Sequence, residues 1–328
     1  MPPHGRALLR APAASPRAAA PARKASSFAP RGAPVTGGEA DDFAEFIPRG
    51  AAGLPQRGGL LHRVGRARLP QPRGVLLQGA PPHPGHAEFV GSLGQRKRYW
   101  ARSLAGWRFF DSAVPNVAHW ALAEMERHGY VQGVVTQNVD GLHQKAGTRN
   151  VIDLHGRNDE VGCLGCGRRR PRRDFQQELE VVNAEWVSAH LPSGPSVDLR
   201  ADGDAHLATS DFAGFVVPPC SACGGIWKPT VVFFGGSLEP AVKAAALAAV
   251  EGSSGVLVLG SSLQVFSAFS LVKAAAEAGK PVVLVNIGET RADPLVPPER
   301  RLAWRCGAAL ARACELLGVP LRPSPAES

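Results

Sequence analysis

The chain has no run of 18 apolar residues, which excludes an ordinary membrane-spanning helix. No acidic residue precedes Glu39, whereas Arg6, Arg10, Arg17, Arg23, Lys24 and Arg31 are basic. Much of the formal charge of +9 is therefore local. This start, rich in Ala, Pro, Ser and Arg, has the composition of an organelle transit peptide. Residues 1–48 are thus expected to be a transit peptide or disordered tail. The mitochondrial matrix is the expected compartment, with plastid or cytoplasm as alternatives. The chain also lacks the interleaved aromatic and basic residues of RNA-binding modules, so no nucleic-acid partner is expected. No membrane partner is expected either. Six cysteines in 328 residues are too few for a disulfide framework. Four of them form two Cys-x-x-Cys pairs, Cys163/Cys166 and Cys220/Cys223, while Cys306 and Cys314 stand alone. That is metal spacing.

What is present is an interrupted α/β pattern. The length and a hydrophobic content of 44% suit one large domain with a small one attached. Gly53 to His86 is dense in Gly, Pro, Arg and Leu, has no period, and reads as a loop. Ordered pattern begins near Glu88, and Phe89–Phe110 reads as short helices. Pro115-Asn116 opens a helix with Val117, Trp120, Ala121 and Met125 on one face, closed by Gly129. A buried-type strand, Tyr130–Val135, ends in the polar string Thr136-Gln137-Asn138-Val139-Asp140. Residues 157–229 break the alternation and carry both cysteine pairs. Beyond them come a short buried strand, Val231–Gly235, an Ala-rich helix, Glu239–Val250, and two strands, Gly255–Leu259 and Pro281–Val285. The last two read as parallel strands buried on both faces. A final helix spans about Gly307–Leu317. The expected fold is α/β: a Rossmann-like parallel sheet with helices on both faces, plus a small inserted zinc-binding module. The sheet domain takes 86–156 and 230–318, with a small helical part near 88–112. The module takes 157–229, and 319–328 is a tail.

The chemistry-bearing residues cluster at strand ends and around the cysteines. Four thiolates give a closed, tetrahedral, structural zinc site with no open position for a reacting water. Gly260-Ser261-Ser262 and Asn286-Ile287-Gly288 end neighbouring strands, as the two sides of a dinucleotide crevice do, though neither is a G-x-G-x-x-G fingerprint. Gln137, Asn138 and Asp140 put amides and a carboxylate at a third strand end. His155, in Leu154-His155-Gly156, falls between that polar string and the zinc module, where a cleft between domains would form.

Taken together, T-Q-N-V-D (Thr136–Asp140), L-H-G, the two cysteine pairs, V-V-F-F-G (Val231–Gly235), G-S-S-L-Q-V (Gly260–Val265) and N-I-G resemble the sirtuin family in order and spacing. The likeness covers about residues 86–316. It implies an NAD-dependent protein deacylase acting on acylated protein lysines, with NAD consumed as cosubstrate and one structural zinc ion. R-Y-W-A-R (Arg98–Arg102) and the long zinc module resemble class II, in particular the mitochondrial branch described as lipoamidase and ADP-ribosyltransferase. Mono-ADP-ribosylation at the same site is the alternative activity. By this resemblance His155 is the general base, a task suited to an imidazole. Asn138 and Asp140 hold the nicotinamide ribose and pocket, with Gln137 and Val139 beside them. Gly260, Ser261, Ser262, Asn286, Ile287, Gly288 and Cys306 line the rest of the NAD site. Val232, Phe233, Phe234 and Gly235 pair with substrate backbone as an added strand.

One departure matters. The family opens with a Gly-rich NAD loop, G-A-G-x-S-T-x-S-G-I-P-D-Y-R, and residues 49–85 contain no such string. Where it belongs stands Arg57-Gly-Gly-Leu-Leu-His-Arg-Val-Gly-Arg-Ala-Arg-Leu-Pro70. Synonymous codons can be chosen for these residues that, translated one base later, give G-A-G-C-S-T-A-S-G-A-R-D-Y-R. The expectation is a local frame displacement beginning before Arg57 and ending before about His86. As written, the chain would form a zinc-containing protein impaired in NAD binding. Transcript sequencing across codons 50–90 is expected to show the displaced frame; a transcript encoding Arg57–Pro70 as written would overturn it.

Overall fold

Val256–Leu259 and Val282–Val285 are apolar at every position and buried at every position. A strand accepts such a run only when both of its faces are covered. The structure is a computed structural model that describes residues 59–62, 84–191, 198–199, 205–207, 209 and 211–321. In chain order the strands are β1 (Gly59–His62), β2 (Gly133–Thr136), β3 (Val151–Asp153), β4 (Glu160–Cys163), β5 (Arg169–Pro171), β6 (Asp198–Leu199), β7 (Ala205–His206), β8 (Trp227–Pro229), β9 (Val256–Leu259), β10 (Val282–Val285) and β11 (Arg301–Leu302). The helices are α1 (His86–Gly91), α2 (Leu93–Asp111), α3 (Val117–Arg127), α4 (Leu142–Ala146), α5 (Arg172–Val182), α6 (Ala184–His190), α7 (Pro240–Glu251), α8 (Phe266–Glu277) and α9 (Cys306–Leu316). None of the described helices is long and apolar enough to cross a membrane.

The main sheet is parallel throughout, in the order β11-β10-β9-β1-β2-β3. Successive side chains point to opposite faces, so neighbouring residues enter different cores. Val134, Leu257 and Val283 pack with Ala121, Leu122 and Met125 of α3 and Ala309, Leu310 and Ala313 of α9. Val135, Val256, Val258 and Leu284 pack on the other face with Ala246 and Val250 of α7 and Leu271, Val272 and Ala275 of α8. Each fully buried Val or Leu here contributes about 1.5–3 kcal/mol through lost water contact.

Four expectations are corrected. First, Gly53–His86 is not all loop, because Gly59–His62 is the central strand, pairing β2 on one side and β9 on the other. Its ladder is made by main-chain groups, which need no side-chain period; without it β2 and β9 would face each other with unpaired donors and acceptors. The rest of Arg57–Pro70, the proposed transit peptide and residues 322–328 lie outside the described residues. Second, the strand expected at Tyr130–Val135 starts only at Gly133. The N–H groups of Tyr130 and Val131 close the end of α3 by donating to Met125 O, with Gly129 at φ 80°. Third, the buried face of α3 is Ala118, Ala121, Leu122 and Met125, while Val117 is exposed. Fourth, Val231–Gly235 forms no strand. It is a junction in which Phe233 is buried and Phe234 is 83% exposed.

The second layer is smaller. β4 pairs antiparallel with β5 and β8. Its core joins Val161, Phe175 and Trp227 to Phe89, Tyr99 and Trp100. The helical segment before residue 112 therefore shares its core with the zinc module rather than with the parallel sheet. It is also less broken than expected: α2 runs 19 residues from a Ser92 cap.

The two layers meet at Gly156. A Cβ there would lie 2.1 Å from Thr230 O, and the residue has φ +73°. Both the backbone conformation and the space demand glycine. Gly156→Ala is expected to lower the unfolding free energy by at least about 2 kcal/mol, from left-handed strain plus overlap with fixed backbone. Urea titration checks this; an unchanged midpoint would contradict it.

Candidate active site

Parallel pairing brings the carboxyl ends of the strands level. His62 is in register with Thr136 and with Leu259, and Leu259 with Val285. The loops 137–140, 260–262 and 286–288 therefore leave one edge of the sheet side by side. The chain runs outward from β1 through β2 and β3, then resumes on the other side at β9. Ligands of open α/β sheets bind at such a reversal. A hydrogen bond spans it: Gln137 Nε2 donates to Ser261 Oγ at 2.9 Å.

Each expected loop residue has a defined place. Asn138 N–H donates to Thr136 Oγ1, and Val139 O accepts from Asn158 N–H. Asp140 is buried, with Oδ1 accepting from Leu142 N–H at the start of α4. Gly260 and Gly288 have φ +60° and +97°. A Cβ on Gly288 would meet nothing within 4 Å, so that side of the turn is open. Asn286 Nδ2 donates to Gly288 O at 3.0 Å, which leaves Ile287 65% exposed. The Cys306 thiol faces Val285 O, and burial pushes its pKa up to about 11, so it stays a neutral thiol. An open glycine turn at Gly288, an exposed apolar side chain, and amide and hydroxyl groups at the reversal point fit a dinucleotide.

Leu263 was not apparent from the sequence. It is the one non-glycine residue with positive φ among those described, at +55°, and its N–H donates to Ser261 Oγ. Such a conformation costs about 1–3 kcal/mol and gathers at functional loops. Nothing in a leucine's identity signals it.

His155 stands where the sheet meets the smaller layer. Its Nδ1 lies 3.3 Å from Gln137 O and its Nε2 2.9 Å from Ser267 Oγ on α8. A carbonyl only accepts, so the proton belongs on Nδ1. Nε2 then carries the lone pair and accepts from the Ser267 hydroxyl. Ser267 also went unread in the sequence, because a serine in the first turn of a helix is ordinary. The backbone carbonyl of His155 accepts from Val232 N–H at 2.8 Å. The histidine is thereby joined to the junction Val232–Gly235, although that segment is not a strand. Phe233 packs against Phe89 and Tyr99, with centroids 5.3 and 5.2 Å apart, and Phe234 O accepts from His86 N–H.

The four paired cysteines converge. Their sulfurs all lie within 4.8 Å of one another, with Cys163–Cys223 at 3.5 Å and Cys166–Cys220 at 3.8 Å. Tetrahedral zinc with bonds of about 2.3 Å needs sulfurs about 3.8 Å apart, so the set fits one zinc ion. The glycines fit too. A Cβ on Gly225 would lie 2.8 Å from Cys163 Sγ, and one on Gly165 3.2 Å from Cys223 Sγ. Gly165 N–H also points at Cys163 Sγ at 3.4 Å. Four protein ligands leave no open position, so the ion would hold the module together.

Comparison with known proteins agrees with this geometry. The Sir2 family model matches residues 87–267, over half of the chain. The chain belongs to the Sir2 family. An NAD-dependent protein deacetylase of Bradyrhizobium diazoefficiens is 49% identical over 223 residues, covering 68% of this chain and 79% of that protein. An NAD-dependent protein deacylase of Monosiga brevicollis is 44% identical over 241 residues, covering 73% and 78%. Among solved structures, a Sir2 protein bound to a propionylated peptide superimposes with a TM-score of 0.59 at 26% identity, over 81% of this chain and 94% of that one. The Sir2 match begins after Arg57–Pro70.

Behind the Asn138–Asp140 loop of this sirtuin sit two buried imidazoles. His119 of α3 and His143 of α4 have ring centroids 4.8 Å apart. Burial pulls the pKa of His119 down to about 3, helped by His143, and that of His143 down to about 4. Both rings are neutral in the folded protein. The unfolded chain takes up their protons near pH 6.5, so stability falls as pH drops below that value. Each histidine is expected to remove about 1.4 kcal/mol per pH unit once its unfolded form is charged. Urea unfolding from pH 8 to 5 should show a plateau above about 7 and this decline below it, roughly halved in His143→Gln. A flat profile would contradict the buried neutral pair.

Proposed function

We propose that this sirtuin, with the displaced frame across residues 57–85 restored, is an NAD-dependent protein-lysine deacylase that transfers the acyl group to ADP-ribose and releases nicotinamide. One observation carries the reading. His155 is joined through its backbone carbonyl to the Val232–Gly235 segment and through Nδ1 to the Gln137 strand end, while its Nε2, the atom that would take the proton, meets only the exchangeable hydroxyl of Ser267 among the described residues. The named activities of the relatives support it.

In this reading the acyl oxygen of the modified lysine attacks the nicotinamide-bearing ribose carbon, and nicotinamide leaves with the bonding pair. His155 then takes the proton of a ribose hydroxyl, which attacks the acyl carbon. The lysine amine departs with a proton and the bonding pair, water adds to the acyl carbon now bridging two ribose oxygens, and the bridge opens to leave the acyl group on one hydroxyl of ADP-ribose. Asn138 and Asp140 would hold the ribose and nicotinamide end. Gly260–Ser262, Asn286–Gly288 and Cys306 would line the remainder. Val232–Gly235 would receive the peptide, and Phe234 is exposed for such a contact. We further read R-Y-W-A-R and the long zinc module as placing the chain near the lipoamidase-like class II branch. Tyr99 of that stretch packs on Phe233, next to the peptide segment.

Incubating the purified protein, as written and with the frame across residues 57–85 restored, with NAD and acetyl- or lipoyl-lysine peptides tests the reading, with activity expected of the restored chain. Nicotinamide and O-acyl-ADP-ribose are expected in equal amounts. His155→Ala should reduce deacylation by about 10²–10⁴-fold, the usual contribution of a general base. Labelled protein without deacylation would point to ADP-ribosyl transfer instead. Deacylation that survives in His155→Ala would remove the histidine from its role.

A further inference from the structure

Lys228 lies where the zinc module becomes the peptide segment. It is the middle residue of β8, three positions after Gly225, which packs on the cysteine sulfurs. Its side chain is buried, at 7% exposure. Nζ donates to Pro229 O at 2.9 Å and to Val231 O. It also lies 4.4 Å from the centre of the Phe233 ring. Among the described residues no carboxylate pairs with it. Burial lowers its pKa to about 8.

A buried ammonium without a counter-charge is a poor way to fill space; an apolar side chain of similar volume would do so at lower cost. What the ammonium adds is direction. In an extended chain the groups of residues 229 and 231 face one edge, and those of 230 and 232 face the other. Lys228 gathers the carbonyls of Pro229 and Val231 on the first edge. On the second, Thr230 N–H donates to Glu160 O and Val232 N–H to His155 O. Both edges are held just before Phe233 and Phe234. The ring of Phe233, lying against the same ammonium, extends the grip by one more residue.

We propose that Lys228 is a positioning residue for the acyl peptide: its ammonium sets the course of Val231–Phe234 and couples it to the zinc module without touching substrate. This rests on the deacylase reading, which gives the segment its peptide.

Lys228→Met and Lys228→Arg test it, each against the chain with Lys228, with four measurements: zinc per chain, melting temperature, hydrogen–deuterium exchange of residues 230–236 without ligand, and, in the frame-restored chain, KM for acyl peptide and for NAD. Lys228→Met is expected to keep one zinc and a melting temperature within about 4 °C of wild type. Exchange across 230–236 should quicken at least about tenfold, and KM for peptide should rise about tenfold, as for loss of a charge-assisted hydrogen bond. KM for NAD should stay unchanged. Lys228→Arg, which keeps a cationic donor, should recover most of the peptide KM. Unchanged exchange and peptide KM in Lys228→Met would overturn the proposal. So would loss of zinc or of folding in that variant, which would assign the lysine to the fold alone. Failure of the frame-restored chain with Lys228 intact to release nicotinamide would sink the deacylase reading, while the exchange comparison would still report on Lys228.

Discussion

The hydrogen bond from Val232 N–H to His155 O, 2.8 Å long, is the contact on which the functional geometry depends. It ties a chain leaving the parallel sheet to a chain leaving the zinc module. Directly beside it, Gly156 lies so close to Thr230 O that no side chain fits. Thr230 Oγ1 donates to Arg157 O across the same seam. Backbone against backbone is the most rigid contact available to two layers, because no rotamer can relax it. A histidine placed there is fixed relative to both the strand-end loops and the peptide segment.

Zinc acts on the same seam from a distance. Gly225 presses on the sulfurs, β8 begins two residues later, and β8 delivers Lys228 and then Val232. A metal held by four protein ligands can still determine where the segment after β8 begins. Removing the ion would free the sheet of β4, β5 and β8. Its influence on acyl transfer would pass through backbone position rather than charge.

How much of this was legible depends on whether the information was local. β9 and β10 were plain because Val-Leu-Val-Leu and Val-Val-Leu-Val fit no environment but a doubly covered sheet. The cysteine pairs were plain because short spacing around glycine has few other uses, and the 53 residues between them did not matter to the ion. His155 stood out from its place between a polar strand end and the cysteines. Ser267 lies 112 residues from the histidine it meets, so only the fold shows the pairing. Leu263 is unusual in its backbone, and leucine carries no mark of that. Lys228 reads as a surface lysine until β4 and Phe233 close over it. Val231–Gly235 misled for the opposite reason: its apolar run is real, but no neighbouring strand offers a ladder.

β1 exposes the limit of pattern reading most sharply. Gly59-Leu-Leu-His has neither period nor polarity to mark a central strand, yet it pairs over four residues on both sides. The position is demanding because of its neighbours, since β2 and β9 each present a row of donors and acceptors that must be met. Any short extended segment without proline can meet them. Filling the sheet and building the site are therefore separate requirements. The ladder accepts this sequence because it asks only for main chain. The family's Gly-rich NAD loop asks for particular glycines, so that backbone N–H groups can approach phosphate closely. Arg57–Pro70, where the resemblance puts that loop, has Gly58, Gly59 and Gly65 but no Gly-Ala-Gly string and no acidic residue. Among the described residues the sheet, the cysteine cluster and the histidine are thus assembled by requirements separate from the glycine string that the family's NAD loop carries.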